Sequence, residues 1–297
     1  MTPVALFAYF RAAHLKRTLG GLKQNRVERI YAFCDAAKSP ELAAQVDEVR
    51  KLVRAIDWCE VTIVERGENL GLGRSVRAGV TQVLREHPTV VVVEDDIVFR
   101  PGAMAYVEAA MEHYFPNPKV MTISMWSHPA LVPAGATAGF FSLRFICWGW
   151  ATTREAWASY QESPWELCER VRQAGGRPEE WGNDLLRMAR DADRLNLWYV
   201  GYVFCHLLNQ GLSFVPAESL TVNIGVDGSG ENSQPGSVQN EALLGLPAKL
   251  PKRWPEITLE ARSGPAFVRY FGDPVPNLAQ RARIVLGRWR QRVTKHP

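Results

Sequence analysis

Three carboxylates stand side by side at Glu94, Asp95 and Asp96, directly after a run of four valines at 90–93. An unbroken apolar run of this kind is typical of a strand that is buried on both faces of a parallel sheet. Adjacent carboxylates repel one another and resist desolvation, so a bound cation would stabilise them. We therefore expect a cation site at the carboxyl end of this strand, where open α/β sheets bind ligands. A charged loop after a core strand is the alternative.

The cation that suits such a site is Mg²⁺ or Mn²⁺, because these ions combine one or two carboxylates with the phosphates of a nucleotide. A glycine-rich segment at 67–74 could let the backbone approach that nucleotide. The segment lacks the Gly-Lys-Ser/Thr of a Walker loop, and the spacing of Gly67, Gly71 and Gly73 does not fit a dinucleotide fingerprint. These features indicate phosphate chemistry without specifying the reaction.

The elements that must position these residues alternate between strand and helix through the first half of the chain. Apolar runs predict strands at 4–10, 29–34, 61–65 and 90–93, with helical patterns between them. Such alternation predicts right-handed crossovers and a parallel sheet with both faces covered, so the fold class is α/β. We expect one half of a domain at 1–115, a second half of the same domain at 116–245, and a C-terminal extension at 246–297.

Composition describes an ordinary soluble globular protein, with 46% hydrophobic and 22% charged residues among 297. Five widely spaced cysteines without a Cys-x-x-Cys fit reduced thiols better than disulfides or a zinc site. The net charge of +4 gives little support to a nucleic-acid partner, and we expect none. The 10 tryptophans suit either a sugar site or a thick core.

The last segment, 280–295, has a basic amphipathic pattern around Trp289. Such a helix can lie on an anionic membrane surface, or it can pack on the protein body with its arginines in solvent. The N-terminus has no basic n-region, and no apolar stretch is long enough for a membrane span. We therefore expect a cytoplasmic protein, either free or peripheral on the inner face of the cell membrane.

Several segments resemble, in the same order, those of GT-A nucleotide-sugar glycosyltransferases. Residues 8–19 resemble their opening strand and helix, and Asn69-Leu70-Gly71-Leu72 followed by Glu94-Asp95-Asp96 resembles the run that ends in their Asp-x-Asp-type metal motif. The Trp148-Gly149-Trp150 segment is similar to N-acetylglucosaminyltransferase I and to bacterial surface-polysaccharide transferases. Residues 149–152 with Trp157, and the Asn-Ile-Gly stretch within 220–230, are also similar to the bacterial group.

This resemblance implies a mostly parallel, Rossmann-like GT-A sheet flanked by helices, with a nucleotide-sugar-binding half at 1–115 and an acceptor and catalytic half at 116–245. It also implies metal-dependent transfer, with inversion favoured, from a nucleoside diphosphate sugar, foremost a UDP-sugar, to a glycan or polyprenyl-lipid-linked acceptor in cell-surface polysaccharide biosynthesis. The metal ligand would be Asp96. The residues implied at the nucleotide-sugar are Phe10, Arg11, Asp35, Asn69, Gly71, Arg74, Glu94 and Asp95, and those implied at the sugar and acceptor cleft are Trp148, Gly149, Trp150, Trp198 and Tyr199.

The catalytic base is the part of the resemblance that departs from the pattern. Inverting enzymes of this fold use a carboxylate at the start of a late helix, and bacterial relatives often read Trp-Asp where this chain has Trp198-Tyr199. Tyrosine, with a reference pKa of about 10, is a poor base. Asp193 or Asp184 could supply the carboxylate instead. A helix cap at Asp193 and a solvated helix face at Asp184 are the alternatives.

Two other classes of function remain open. A sugar nucleotidyltransferase shares the sheet and the carboxylate-bound metal, but it should show a glycine-rich loop with Arg and Lys after the first strand. The sequence there, Phe10-Arg11-Ala12-Ala13, matches that expectation poorly. A non-catalytic carbohydrate-binding protein with a degenerate transferase fold would account for the missing Trp-Asp carboxylate.

Overall fold

The computed structural model describes residues 2–229 and 241–271. Strands and helices alternate along the first half of the chain, as the sequence predicts. The strands are β1 (Val4–Ala8), β2 (Arg29–Cys34), β3 (Glu60–Glu65), β4 (Thr89–Glu94), β5 (Ile97–Phe99), β6 (Val120–Ser124), β7 (Gly139–Ser142), β8 (Trp150–Thr153), β9 (Leu212–Pro216) and β10 (Thr221–Asn223). The helices are α1 (Ala12–Gln24), α2 (Ala43–Arg54), α3 (Leu72–Glu86), α4 (Ala103–Tyr114), α5 (Arg154–Trp157), α6 (Pro164–Gln173), α7 (Asp184–Leu195), α8 (Tyr199–Asn209) and α9 (Ser263–Phe271).

One sheet of eight strands, in the order β3-β2-β1-β4-β8-β6-β9-β7, forms the centre of the protein. Its strands are parallel except β7 and β8, which run against their neighbours. Helices pack on it, for example α2 on β2, α3 on β1 and β4, and α4 on β6. The predicted α/β class, with a large and mostly parallel sheet flanked by helices, is confirmed and is consistent with a Rossmann-like GT-A fold.

The four valines of β4 explain why this strand lies in the middle of the sheet. Val90, Val91, Val92 and Val93 are each at most 1% exposed. Branched side chains pack well on a pleated surface, and burial on both faces removes the need for polar alternation. The antiparallel neighbour β8 follows a reversal at Gly149, whose φ of +83° is a left-handed conformation that favours glycine.

Strands from 1–115 and from 116–245 contribute to the same sheet, while the boundaries that we drew between these halves stay predictions. The extension from 246 is described only to residue 271, and the predicted basic helix at 280–295 lies outside the described residues. Within the described ranges, no helix combines the length and the apolar character needed to cross a membrane.

Candidate functional site

Asp95 lies where the chain leaves β4, and two other elements hold its carboxylate. The side chain is 4% exposed. Its Oδ1 accepts a hydrogen bond from Nη2 of Arg11 at 2.6 Å, and its Oδ2 accepts one from the backbone N–H of Tyr9 at 3.2 Å. The backbone oxygen of Asp95 accepts a further hydrogen bond from Thr18 Oγ1 at 2.9 Å. The end of β1 and helix α1 therefore fix Asp95 from one side.

Asp96 is also buried, at 8% exposure, but only half of its carboxylate is engaged. Its Oδ2 accepts a hydrogen bond from the same Arg11 Nη2 at 2.6 Å. Its Oδ1 is buried and has no hydrogen-bond partner in the part of the chain that the structure describes. A buried, unpaired carboxylate oxygen is costly, so this atom is the one in the acid cluster best suited to ligate a cation.

Arg11 and Glu94 complete the electrostatics of the acid cluster. Burial lowers the pKa of Arg11, while the charges of Asp95 and Asp96 raise it; the net effect lies above the ordinary value, so the guanidinium stays charged. Glu94 is half-buried, and this burial, followed by the charges of Asp96 and Asp95, raises its pKa to about 8. One guanidinium therefore faces three carboxyl groups, and the cluster can accommodate more positive charge.

A divalent cation fits these residues, although they form no complete protein cage. The described residues contain no group of three His, Cys, Asp or Glu side chains arranged to hold a metal. Mg²⁺ and Mn²⁺ that bind with a nucleotide need only one or two carboxylates, because phosphates and waters supply the other oxygens. Asp96, with Asp95 beside it, would hold such an ion, and the ion when bound would neutralise charge on a departing phosphate.

The late Asn-Ile-Gly segment covers the acid cluster. The backbone N–H of Ile224 donates to the backbone oxygen of Asp96 at 2.9 Å, and the side chain of Asn223 accepts from Gly225 N at 2.8 Å. Farther along, Asp227 pairs with His14 of α1, with 3.2 Å between Oδ2 and Nε2. The segment is thus held to the end of β4 and to α1.

Asp35 shapes the glycine-rich loop before α3. It follows β2, is 5% exposed, and accepts hydrogen bonds from the backbone N–H groups of Leu70 at 3.0 Å and Gly71 at 2.9 Å. Asn69 donates to the backbone oxygen of Ala36 at 2.7 Å, and Gly71 has a φ of +70°. Contacts of Asp35, Asn69 and Gly71 with a nucleotide stay predictions, and the structure shows what holds their loop in place.

Asn196 is a residue that the sequence analysis missed. It ends α7 in a left-handed conformation, with φ of 52°. Its Oδ1 accepts from the backbone N–H of Arg74 at 3.0 Å, and its Nδ2 donates to the backbone oxygen of Leu70 at 2.8 Å. Asn196 therefore caps α3, whose own N-cap residue, Gly71, has no side chain. In the sequence, an asparagine between two helical patterns could have indicated this position, because asparagine favours the left-handed conformation at a helix end.

Phe10 and Arg74 lie at the same edge of the sheet. Phe10 is half-buried and packs edge-on against Tyr9, with 4.9 Å between ring centroids. Arg74 is exposed, and its Nε donates to the backbone oxygen of Leu70 at 3.0 Å. Their predicted contacts with the base, ribose or phosphates stay predictions.

The tryptophans of the predicted cleft separate into two groups. Trp148 is half-buried against Trp126, with 4.6 Å between ring centroids, and Gly149 beside it is buried. Trp150 and Trp198 are 1% and 3% exposed and stack on each other at 5.1 Å. Both rings are therefore packed in the core beside α8, and the place of Trp150 and Trp198 at the sugar and acceptor cleft stays a prediction.

Asp184 does not have the free carboxylate that a base requires. It is 7% exposed and forms a two-pronged ion pair with Arg144, at 2.8 Å to Nη1 and 2.7 Å to Nη2. Arg144 also donates to the hydroxyl of Tyr199 at 3.0 Å. The alternative of a solvated helix face is wrong, because Arg144 occupies both carboxylate oxygens in a buried network. A catalytic role for Asp184 stays a prediction, and this pairing does not favour it.

Tyr199 is tied to the same network and is unsuited to act as a base. Its hydroxyl donates to the backbone oxygen of Phe145 at 2.7 Å. Burial raises the pKa of Tyr199 above its ordinary value, although the Arg144 charge opposes that rise. Asp193, in contrast, is exposed on α7, one helical turn before Asn196. Of the two carboxylates predicted for the base, only Asp193 remains open to solvent.

No protein-family model and no curated protein matches this chain. Among solved structures, a mannosyltransferase from Pyrobaculum calidifontis in complex with GDP-Man and Mn²⁺ is 17% identical, with a TM-score of 0.40 over 73% of this chain and 56% of its own. This chain therefore spans little more than half the length of that mannosyltransferase. A protein from Bacillus anthracis named as a glucose-1-phosphate thymidylyltransferase, in complex with sucrose, is 9% identical, with a TM-score of 0.32 over 54% of this chain and 75% of its own.

HddC from Yersinia pseudotuberculosis, complexed with GMP-PN, is 11% identical, with a TM-score of 0.33 over 52% of this chain and 78% of its own. The similarity to these three structures is too low to indicate which reaction this chain catalyses.

Proposed function

We propose that the protein is a metal-dependent glycosyltransferase that moves a sugar from a nucleoside diphosphate to a hydroxyl group of a glycan or polyprenyl-linked acceptor. The observation that carries this proposal is the acid cluster, in which Arg11 bridges Asp95 and Asp96 while the buried Oδ1 of Asp96 has no hydrogen-bond partner among the residues that the structure describes. A carboxylate oxygen in this state suits a divalent cation that also takes phosphate oxygens.

The position of the cluster supports a nucleotide as the ligand. Arg11 follows β1, Asp35 follows β2 and Asp95 follows β4, and these strands are adjacent and parallel. Two strand spacings separate the ends of β2 and β4 by roughly 10 Å. A nucleoside diphosphate can span such an edge, with its base towards the loop that Asp35 holds and its phosphates towards Asp96.

The acceptor side of the proposal rests on fewer contacts. Asp193 is the carboxylate that we propose as general base, because it is exposed and Asp184 is not free. Direct attack by an acceptor hydroxyl that Asp193 deprotonates would invert the anomeric centre. The resemblance to bacterial surface-polysaccharide transferases supports a UDP-sugar donor and work at the inner face of the membrane.

Calorimetric titration with UDP and GDP, with and without Mn²⁺, tests the binding half of the proposal. We expect binding that depends on Mn²⁺, and Asp96→Asn should weaken it at least about tenfold because the variant loses a charged ligand oxygen. Asp47→Asn, on the exposed face of α2, is the matched control and should bind as the wild type does. Absence of nucleoside diphosphate binding at saturating Mn²⁺ would contradict the proposal.

Product analysis tests the reaction itself. Incubation with nucleotide-sugars and glycan or polyprenyl-phosphate acceptors should release nucleoside diphosphate and form a glycosylated product. Formation of pyrophosphate from a sugar 1-phosphate and a nucleoside triphosphate would instead identify a nucleotidyltransferase. Binding without either reaction across the panel would favour the non-catalytic carbohydrate-binding alternative.

A further inference from the structure

Arg11 occupies an unusual place between the two aspartates. A single nitrogen, Nη2, serves both carboxylates, at 2.6 Å from Asp95 Oδ1 and 2.6 Å from Asp96 Oδ2. The other terminal nitrogen, Nη1, is buried and has no hydrogen-bond partner within the described ranges, and the same holds for Asp96 Oδ1. The pairing is therefore incomplete on both sides, since Arg11 keeps an unused donor and Asp96 an unused acceptor among the described residues.

Arg11 and a divalent cation would have to share the carboxylate of Asp96, since Arg11 holds Oδ2 and the cation would take Oδ1. Both would draw on the carboxylate of Asp96, and they would repel each other in a region that water hardly enters. An incoming diphosphate changes this balance, because it brings negative charge that both the guanidinium and the cation can contact. The ion pair with Asp96 is thus the contact that cation binding would have to weaken.

The attachment of Arg11 allows such an exchange. Arg11 stands at the N-cap position of α1, outside the helix, and its side chain makes no capping hydrogen bond. Its partner Asp95 is additionally held by the backbone of Tyr9, whereas the carboxylate of Asp96 has no second hydrogen bond among the described residues. Arg11 can therefore leave Asp96 while Asp95 keeps its position.

We propose that Arg11 is an internal counter-cation that competes with the divalent cation for Asp96, and that the diphosphate relieves this competition by taking over the guanidinium. This inference rests on the proposed function and adds to it an energetic link between the binding of the cation and the binding of the nucleoside diphosphate. The cation alone binds weakly, and the cation and the nucleoside diphosphate bind with positive coupling. Arg11 then acts as a positioning residue for the phosphates only once the cation has replaced it at Asp96.

A purely structural ion pair would behave differently. If Arg11 only stabilised the fold, its removal would lower stability and would give the cation no new affinity. If Arg11 competes with the cation, its removal exposes the acid pair to Mn²⁺. The affinity for Mn²⁺ without any nucleotide therefore separates the two roles, and it requires no measurement of activity.

The test measures the concentration of free Mn²⁺ by electron paramagnetic resonance in titrations of the wild type, Arg11→Met and Arg17→Met. Arg17 is an exposed arginine on the same helix that pairs with Glu241, so its variant is the matched control. We expect Arg11→Met to bind Mn²⁺ about tenfold tighter than the wild type, and the control to be unchanged. Equal or weaker binding by Arg11→Met overturns the proposal.

The coupling is measured by repeating the titrations with saturating UDP and, separately, GDP. In the wild type, the nucleotide that binds should raise the affinity for Mn²⁺ by about tenfold or more, and in Arg11→Met by clearly less. If the wild type binds neither Mn²⁺ nor nucleotide in combination, the proposed function fails along with this inference. If it binds both and Arg11→Met gains no affinity for Mn²⁺, only the inference fails.

Arg11→Met leaves two buried carboxylates without their cation, so its folding needs a separate check. Thermal unfolding with and without Mn²⁺ should show a lower midpoint for the variant and a larger rise on adding Mn²⁺ than in the wild type. If the variant does not fold, Arg11→Lys takes its place, because a shorter point charge reaches the two carboxylates less well. Arg11→Lys should then bind Mn²⁺ tighter than the wild type, and no gain in affinity overturns the proposal.

Discussion

Gly225 lies so close to Asp96 that a β-carbon on residue 225 would stand 2.1 Å from Oδ2 of the aspartate. The same β-carbon would lie 2.8 Å from Nη1 of Arg11. A glycine from the late segment therefore sets how much room the acid cluster has. The backbone at residue 225 does not need a left-handed conformation, so glycine is required here for close approach alone.

Gly225→Ala should weaken the binding of nucleotide with Mn²⁺ by about tenfold, because the added methyl group displaces the Asp96 carboxylate. We expect a smaller effect on folding, at about 1–2 kcal/mol of unfolding free energy. Gly20→Ala is the matched control, since a β-carbon on this helical glycine would meet nothing within 4 Å. Titration calorimetry and urea unfolding measure the two effects, and unchanged binding in Gly225→Ala would contradict the expected crowding.

The sequence predicted the location of the acid cluster because that prediction depends on local pattern. Four valines followed by acids identify the end of a buried strand, and β4 ends at Glu94 as that pattern predicts. The contacts of Gly225 with Asp96 and of Asn196 with Arg74 join residues far apart in sequence. No periodicity or spacing encodes such a contact, so only the folded chain shows it.

Asn196 should contribute to both stability and nucleotide binding, because it caps α3 through Arg74 N and Leu70 O. Asn196→Gly keeps the left-handed conformation accessible and removes only the side-chain contacts. Asn196→Ala also strains the backbone, so it should be less stable than Asn196→Gly by about 1 kcal/mol. Urea unfolding gives the unfolding free energies of both variants. Equal stability of the wild type and both variants would show that the cap does not stabilise the protein.

Asp184 and the tryptophans show why residue type alone does not determine whether a side chain is exposed. Aspartate and tryptophan are typical of active sites and sugar clefts, and both are also used in cores when a partner is present. Arg144, which the sequence pattern shows only as an interruption of an apolar stretch, is that partner for Asp184. Trp150 and Trp198 likewise serve as partners for each other. Whether these side chains are buried depends on their partners in the folded protein. The order of residue types along the chain does not show which residues will be partners.

Asp184→Asn should lower the unfolding free energy by about 3–5 kcal/mol, because it leaves the buried Arg144 charge without its counter-ion. The double variant Asp184→Leu with Arg144→Met should recover much of this loss, since it removes both charges together. Denaturant titration measures these changes. A catalytic role for Asp184 would instead leave the stability of Asp184→Asn nearly unchanged while transfer is lost.

For Asp193→Asn we expect the opposite result, in which stability is kept and sugar transfer is lost. Asp193 is exposed on α7, so its substitution should change stability by no more than about 0.5 kcal/mol. If Asp193 deprotonates the acceptor, the rate of sugar transfer should fall by about a hundredfold or more, with donor binding unchanged. Single-turnover assays and calorimetry separate the two quantities. Full transfer by Asp193→Asn would exclude it as the base.

The half-buried carboxyl group of Glu94 should make the stability of the protein depend on pH. Burial, followed by the charges of Asp96 and Asp95, raises the pKa of Glu94 from 4.5 to about 8. The folded protein therefore keeps a proton that the unfolded chain releases at lower pH. By linkage, the unfolding free energy falls as the pH rises from about 4.5 to about 8, and it levels off above that range.

Glu94→Gln removes this ionisation and keeps the shape of the side chain. We expect the unfolding free energy of Glu94→Gln to fall less over the same range and to exceed that of the wild type by about 1–2 kcal/mol near pH 8.5. Glu112→Gln, at an exposed position of α4, is the control and should follow the wild type. Urea unfolding across the pH range gives the profiles. Parallel profiles for the wild type and Glu94→Gln would show that Glu94 ionises as freely in the folded protein as in the unfolded chain.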